Sequence, residues 1–129
     1  KGVTFVNDSK GTNVDATVKA LESFTQPVVI ILGGQGKGSD FSRLRGALKE
    51  HAKFIVLIGE ATESIARAVA ECGKIQQASS LAQAVELAEQ QASSGEVVLL
   101  SPACASFDMF RDYLDRGQQF RDLVNALPA

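Results

Sequence analysis

Val28-Val29-Ile30-Ile31-Leu32 is an unbroken apolar run rich in β-branched residues, with no polar residue on either parity. A strand with one face in water would alternate. This one must be covered on both sides, as a central strand of a parallel sheet is when helices pack above and below it. Pro27 precedes the run and Gly33-Gly34 follows it, which bounds the element. Phe54-Ile55-Val56-Leu57-Ile58, ended by Gly59, and Val97-Val98-Leu99-Leu100 repeat the pattern. Two shorter runs, Val3-Thr4-Phe5-Val6 and the weaker Lys74-Ile75-Gln76-Gln77, read as further strands.

Between these runs the apolar spacing changes to the helical period. Thr12 or Asn13 can cap a helix that carries Asp15 in its first turn and Val14, Val18 and Leu21 on one face. Asp40 can cap a second through about His51, with Phe41, Leu44 and Leu48 in phase. A third starts at Thr62, buries Ile65, Ala66 and Val69, and has Gly73 placed as a left-handed C-cap. Ser80-Leu81-Ala82-Gln83 has the form of a capping box ahead of Leu81, Ala84, Val85 and Ala88. Residues 107–127 read as helical with a break near Gly117; Phe107, Phe110, Tyr113, Leu114, Phe120, Leu123 and Val124 read as a core stripe before a cofactor box, though one aromatic near the first turn could line a pocket. Strands alternating with helices predict an α/β fold: a Rossmann-like, open, mostly parallel sheet flanked by helices, in a single domain.

A chain of 129 residues can bury roughly 65–70% of its unfolded surface and needs no metal or disulfide to fold. Its 13 basic and 15 acidic residues are interspersed, which argues against a nucleic-acid surface or a polybasic membrane patch. No apolar run approaches a membrane span and no signal peptide opens the chain, so the expected compartment is the cytoplasm. Cys72 and Cys104 are too few and too isolated for a disulfide framework or a metal site, and both are expected to be reduced. The sequence starts at Lys1 rather than Met and reaches a strand by Val3, so it reads as cut from something longer.

Three strands are followed by short polar loops: Asp8-Ser9-Lys10-Gly11-Thr12-Asn13, Gly33-Gly34-Gln35-Gly36-Lys37-Gly38 and Ser101-Pro102-Ala103-Cys104-Ala105-Ser106. In a parallel sheet they emerge at one edge, where helix N-termini and loop amides make an anion-binding rim. Each loop also has a plainer reading. The glycines can serve a tight turn, and the second loop matches neither a P-loop nor a dinucleotide fingerprint, since Gly38 follows Lys37. Thr12 can be only a cap, and Ser106 only the cap of the last helix. Cys104 reads as a packing residue before a reactive thiol, and His51 as a surface residue at a helix C-terminus. The lone histidine supports no Ser-His-Asp arrangement, and no general base stands out.

Jointly, and in order and spacing over essentially the whole chain, the three loops with Asp40-Phe41 resemble the C-terminal domain of the Mur ligases, in the branch that adds D-glutamate. The resemblance implies an ATP- and magnesium-dependent ligase of peptidoglycan synthesis that activates UDP-N-acetylmuramoyl-L-alanine as an acyl phosphate. It implies Asp8 at the ATP ribose, Lys10 near the transferring phosphate as the catalytic residue, and Thr12 with Lys37 on one carboxylate of D-glutamate. Ser106 and the Phe107 backbone would take the other carboxylate, with Tyr113 where the family often has phenylalanine. Gly11 replaces the more usual alanine, and Gln35 receives no role. The metal ligands and the UDP-sugar site would lie in N-terminal and central domains absent from this sequence, leaving the fragment inactive alone. The readings that compete are a non-catalytic α/β module binding an anionic metabolite and a sister ligase taking another amino acid.

Overall fold

The computed structural model describes residues 2–36 and 38–128. Five strands, β1 (Thr4–Asn7), β2 (Val28–Gly33), β3 (Ala52–Ile58), β4 (Lys74–Gln77) and β5 (Val97–Leu100), form one sheet in the order β1-β5-β2-β3-β4. Every strand pairing is parallel. All six residues of β2 are buried, as the missing alternation requires.

The two-residue period of the strands divides the core. Val28, Ile30, Leu32, Ile55, Leu57, Val97 and Leu99 face one way, against α1 (Val14–Glu22), α2 (Arg45–His51) and α3 (Thr62–Ala68). Val29, Ile31, Val56, Ile58, Val98 and Leu100 face the other, against α4 (Leu81–Gln91) and Phe120 of α5 (Tyr113–Asn125). The Rossmann-like α/β expectation therefore holds.

The caps explain where the helices begin. Asn13, not Thr12, accepts the N–H of Ala16 at 2.9 Å and starts α1. Asp40 starts a 3-10 turn, Phe41–Leu44, that leads into α2. Ser80 accepts from the N–H of Gln83, whose side chain takes the N–H of Ser79, so the capping box forms one residue out of its standard register. Gly73 is not the cap expected of it: α3 ends at Ala68, and the N–H of Cys72 turns back onto Val69 O at 2.9 Å.

The last helix differs most. Residues 107–112 are turns, and α5 starts only at Tyr113, where Asp112 accepts the N–H of Asp115 at 2.8 Å. It then runs through Gly117 without a break. This shift of phase turns Arg116, Gly117 and Phe120 inward and leaves Phe107, Tyr113 and Leu114 63%, 44% and 67% exposed, so those three do not belong to the core stripe. Ser106 is buried but caps nothing in α5; its carbonyl accepts from Met109 and Phe110 in the preceding turn. Among the described residues no helix is long and apolar enough to cross a membrane.

Candidate functional site

The strand order positions the site. β5, last in sequence, inserts between β1 and β2, so the loops that follow these three strands are neighbours at the carboxyl edge. After β1 the chain goes to α1 on one face, and after β5 it goes to α5 on the other. A crevice opens where adjacent strands send their connections to opposite faces.

The first and third loops are tied together by continuous hydrogen bonding. The N–H of Asp8 donates to Leu100 O at 2.8 Å, and the N–H of Ala103 donates to Gly11 O at 2.9 Å. Ser101 Oγ donates to Asp8 Oδ2 at 2.8 Å, and Thr17 Oγ1 donates to Ser101 O at 2.9 Å. A Cβ on Gly11 would lie 2.6 Å from Ser101 Oγ and 2.9 Å from Asp8 Oδ2, so the glycine is what lets this serine and carboxylate meet.

The second loop joins the third through a short antiparallel bridge. The N–H of Gln35 donates to Ala105 O at 2.9 Å, and Ala105 N–H returns to Gln35 O at 3.2 Å. Gly34 has φ +135°, and a Cβ there would stand 2.2 Å from Ala105 O. The glycine is needed for the close approach of the two backbones, which gives the turn reading of this loop a physical basis. Lys37, expected to hold a carboxylate, lies outside the described residues. Asp108 extends the lock to the loop after β3 by accepting the N–H of Glu60 at 2.9 Å.

At the centre of the crevice is Arg116, fully buried on α5. Its Nε donates to Ser9 Oγ at 2.9 Å, and its two terminal nitrogens reach Ser9 O at 2.6 Å and Cys104 O at 3.1 Å. Burial lowers its pKa to about 10, an effect opposed by the nearby negative charge of Asp108, so it stays charged at working pH. One guanidinium fork thus spans the loop bearing Lys10 and the loop bearing Ser106. The sequence reading missed Arg116, although its place four residues before Phe120 puts it on the inward face. Asn7 adds a second tie: Nδ2 donates to Gly117 O at 3.2 Å, and Oδ1 accepts the N–H of Ser9 at 3.0 Å.

Of the expected site residues, Lys10 and Tyr113 line one cleft of about 360 Å³ between the first loop and α5. Asp8 and Lys10 line a second, of about 650 Å³, between β1 and α1, with Val6, Ala20 and Phe24 among its apolar lining. Lys10 stands at the ridge between the two. Thr12, Ser106 and Phe107 belong to the flanking loops and line neither cleft. The carbonyl of Tyr113 accepts from Ser9 Oγ at 2.7 Å, which fixes the first turn of α5 against the first loop.

Cys104 is buried, and burial pushes its thiol up to about 12, so it packs rather than reacts. His51 ends α2 as expected, but its side chain is mostly covered. Among the described residues no group of three or more His, Cys, Asp or Glu could hold a metal ion.

The sequence profile of the family "Mur ligase, glutamate ligase domain" matches residues 1–104. The chain is 54% identical over 129 residues to a UDP-N-acetylmuramoylalanine–D-glutamate ligase of Marinobacter nauticus, covering 98% of this chain and 29% of the relative. Proteins of the same name from Nitrosospira multiformis and Bordetella avium are 49% and 52% identical, over 99% and 98% of this chain and 27% and 25% of theirs. The chain therefore spans between a quarter and three tenths of the length of these relatives. With the profile covering most of its length, and with the three loops that carry the resemblance gathered at one sheet edge, the chain belongs to the Mur ligase family as a glutamate ligase domain.

Proposed function

We propose that this chain is the C-terminal domain of an ATP-dependent ligase that joins D-glutamate to UDP-N-acetylmuramoyl-L-alanine in cytoplasmic peptidoglycan synthesis. The observation that carries this reading is identity of 49–54%, over nearly the whole chain, to proteins bearing that ligase name. The fold supports it by bringing the loops of Asp8, Lys10, Thr12, Ser106 and Phe107 to one rim.

In this reading the D-glutamate amine attacks an acyl phosphate. A C–N bond forms, the tetrahedral centre collapses, the C–O bond to phosphate breaks, and the amine gives up its proton. Lys10 balances charge on the transferring phosphate. Thr12 and Lys37 hold one carboxylate of D-glutamate, and Ser106 and the Phe107 amide hold the other, with Tyr113 beside it. Such charge-assisted contacts suit a dianion. Fixing the amine against the acyl carbon is worth up to about 7–11 kcal/mol of barrier through proximity. Asp8 at the rim of an apolar-floored cleft fits the ribose and base of ATP. Magnesium would be held elsewhere in the longer protein, and no step here is routed through it. The remaining domains supply the acyl phosphate, so this domain alone is expected to be inactive.

The test is phosphate release by the full-length parent with ATP, magnesium and UDP-N-acetylmuramoyl-L-alanine, with D-glutamate, L-glutamate or meso-diaminopimelate added in parallel. Release that requires D-glutamate supports the reading. Release with another amino acid points to a sister ligase, and none at all points to an anion-binding module. In the same assay Lys37→Ala raises KM for D-glutamate, whereas Lys10→Ala lowers kcat; unchanged dependence on D-glutamate in Lys37→Ala removes that site assignment.

A further inference from the structure

Among the described residues, the exposed large hydrophobic side chains are Phe107, Tyr113 and Leu114, and all three lie where the third loop runs into α5. Tyr113 and Leu114 form one wall of the 360 Å³ cleft; Asn7, Lys10, Gln118 and Arg121 supply its polar lining. Among the described residues no carboxylate lines it, although the chain has more acidic than basic residues. Three surface cations are paired with carboxylates, Arg43 with Asp15, Lys53 with Glu96 at 2.7 Å, and Arg111 with Asp115 at 3.7 Å, and what sets Lys10 and Arg121 apart is that both line this one cleft. Among the described residues neither Lys10 nor Arg121 has such a carboxylate. Arg121 instead donates from a terminal nitrogen to Gln118 Oε1 at 3.4 Å, and Gln118 Nε2 is anchored on Asp122 Oδ1 at 2.9 Å. The guanidinium is thereby steadied by a neutral group, and no other hydrogen bond engages it among the described residues.

The floor of this cleft is fixed. Gly117 packs so closely that a Cβ would lie 3.1 Å from Asn7 Nδ2 and 3.2 Å from Ser9 Cβ, and Arg116 holds Ser9 from beneath. Two like charges over a rigid floor repel each other, and an anion between them relieves that cost.

We propose that this cleft is a subsite for an anionic oxygen group, carboxylate or phosphate, gripped between Lys10 and Arg121, with the uncharged part of the same ligand lying on Tyr113 and Leu114. Arg121 is then a specificity-determining residue that the loop motifs do not contain. The inference deepens the ligase reading, because Lys10 serves both, and it names a second cation for one of that reaction's anionic substrates.

The test is a titration of this chain, at constant ionic strength, with inorganic phosphate and separately with D-glutamate, following the amides of Ser9, Gly117 and Gln118 and the Arg121 Nε–H by NMR. Saturable shifts with at least one anion are expected; phosphate alone identifies a phosphoryl subsite, and D-glutamate alone a carboxylate subsite. Arg121→Gln weakens binding about tenfold, the loss of one charge-assisted hydrogen bond. Arg121→Lys recovers part of it, and Arg111→Gln, which lies off the cleft, changes nothing. Arg121 is exposed, so the rest of the spectrum stays that of the folded chain. Non-saturating shifts with both anions, or wild-type affinity in Arg121→Gln, overturn the proposal. Failure of the ligase reading shows in the phosphate-release assay and leaves this titration standing on its own.

Discussion

Replacing Arg116 by methionine, which has a similar reach and no donors, tests whether a single buried guanidinium holds the rim together. The substitution strips three hydrogen bonds at once: two from Ser9 and one from Cys104 O. Ser9 Oγ keeps Tyr113 O as acceptor, but the carbonyls of Ser9 and Cys104 lose the guanidinium in a region too closed for easy hydration. Each orphaned buried acceptor costs about 1–3 kcal/mol. Against this, methionine removes the burial penalty that pulls the arginine pKa down to about 10. The balance is a loss of about 3 kcal/mol, or roughly 10 °C in Tm for a domain of this size. Urea melts at pH 7 read it directly. Because the group is charged in both states below pH 10, the difference between wild type and variant should be flat from pH 6 to 9. Above that, the folded state releases the proton first, and wild-type stability gains as pH rises through the lowered pKa. Arg116→Lys keeps the charge but not the fork, and should recover less than half the loss. A loss below about 1 kcal/mol in Arg116→Met, or full recovery by lysine, would refute the clamp.

Gly117→Ala sets helix propensity against packing. Alanine would gain about 1 kcal/mol in an open helix, but contacts of 3.1–3.3 Å to Asn7 and Ser9 should make the variant less stable in a thermal melt. Stabilisation would show that the first loop yields. Neither Cys72 nor Cys104 should react with a thiol reagent at pH 8 in the native chain, since both are buried and the Cys104 thiol is pushed up to about 12; both should react in denaturant. Glu96 is held below its ordinary value chiefly by the hydrogen bond from Lys53, then by the N–H of Ser93. Its contribution is complete above the unfolded value of 4.5 and fades as pH falls through the lowered folded value. Glu96→Gln should therefore flatten the acid limb of stability against pH, and an unchanged limb would place the acid sensitivity elsewhere.

The parallel sheet was legible because its signal is local. Uninterrupted runs such as 28–32 and 54–58 can be satisfied only by cover on both faces, and β4 and β5 lie at the positions their runs predict. Asn13, Asp40 and Ser80 announced helix starts because a cap acts within three residues of its own backbone. Loop composition and the order of motifs likewise carried the family. Tertiary packing decided the rest. The start of α5 was misplaced because Phe107 and Phe110 continue the helical spacing, whereas the chain there spends its backbone groups on Ser106 and its Asp108 carboxylate on Glu60. The insertion of β5 between β1 and β2 pairs Val97 with Thr4 on one side and with Val28 on the other, residues far apart in the chain. No local preference encodes that choice. Arg116 shows the same division at a single residue: its helical phase could be read from the chain, but its partners, Ser9 and Cys104, became visible only when the two loops closed around it. Hydrogen-bond demand inside a low-dielectric crevice, rather than any motif, sets that contact.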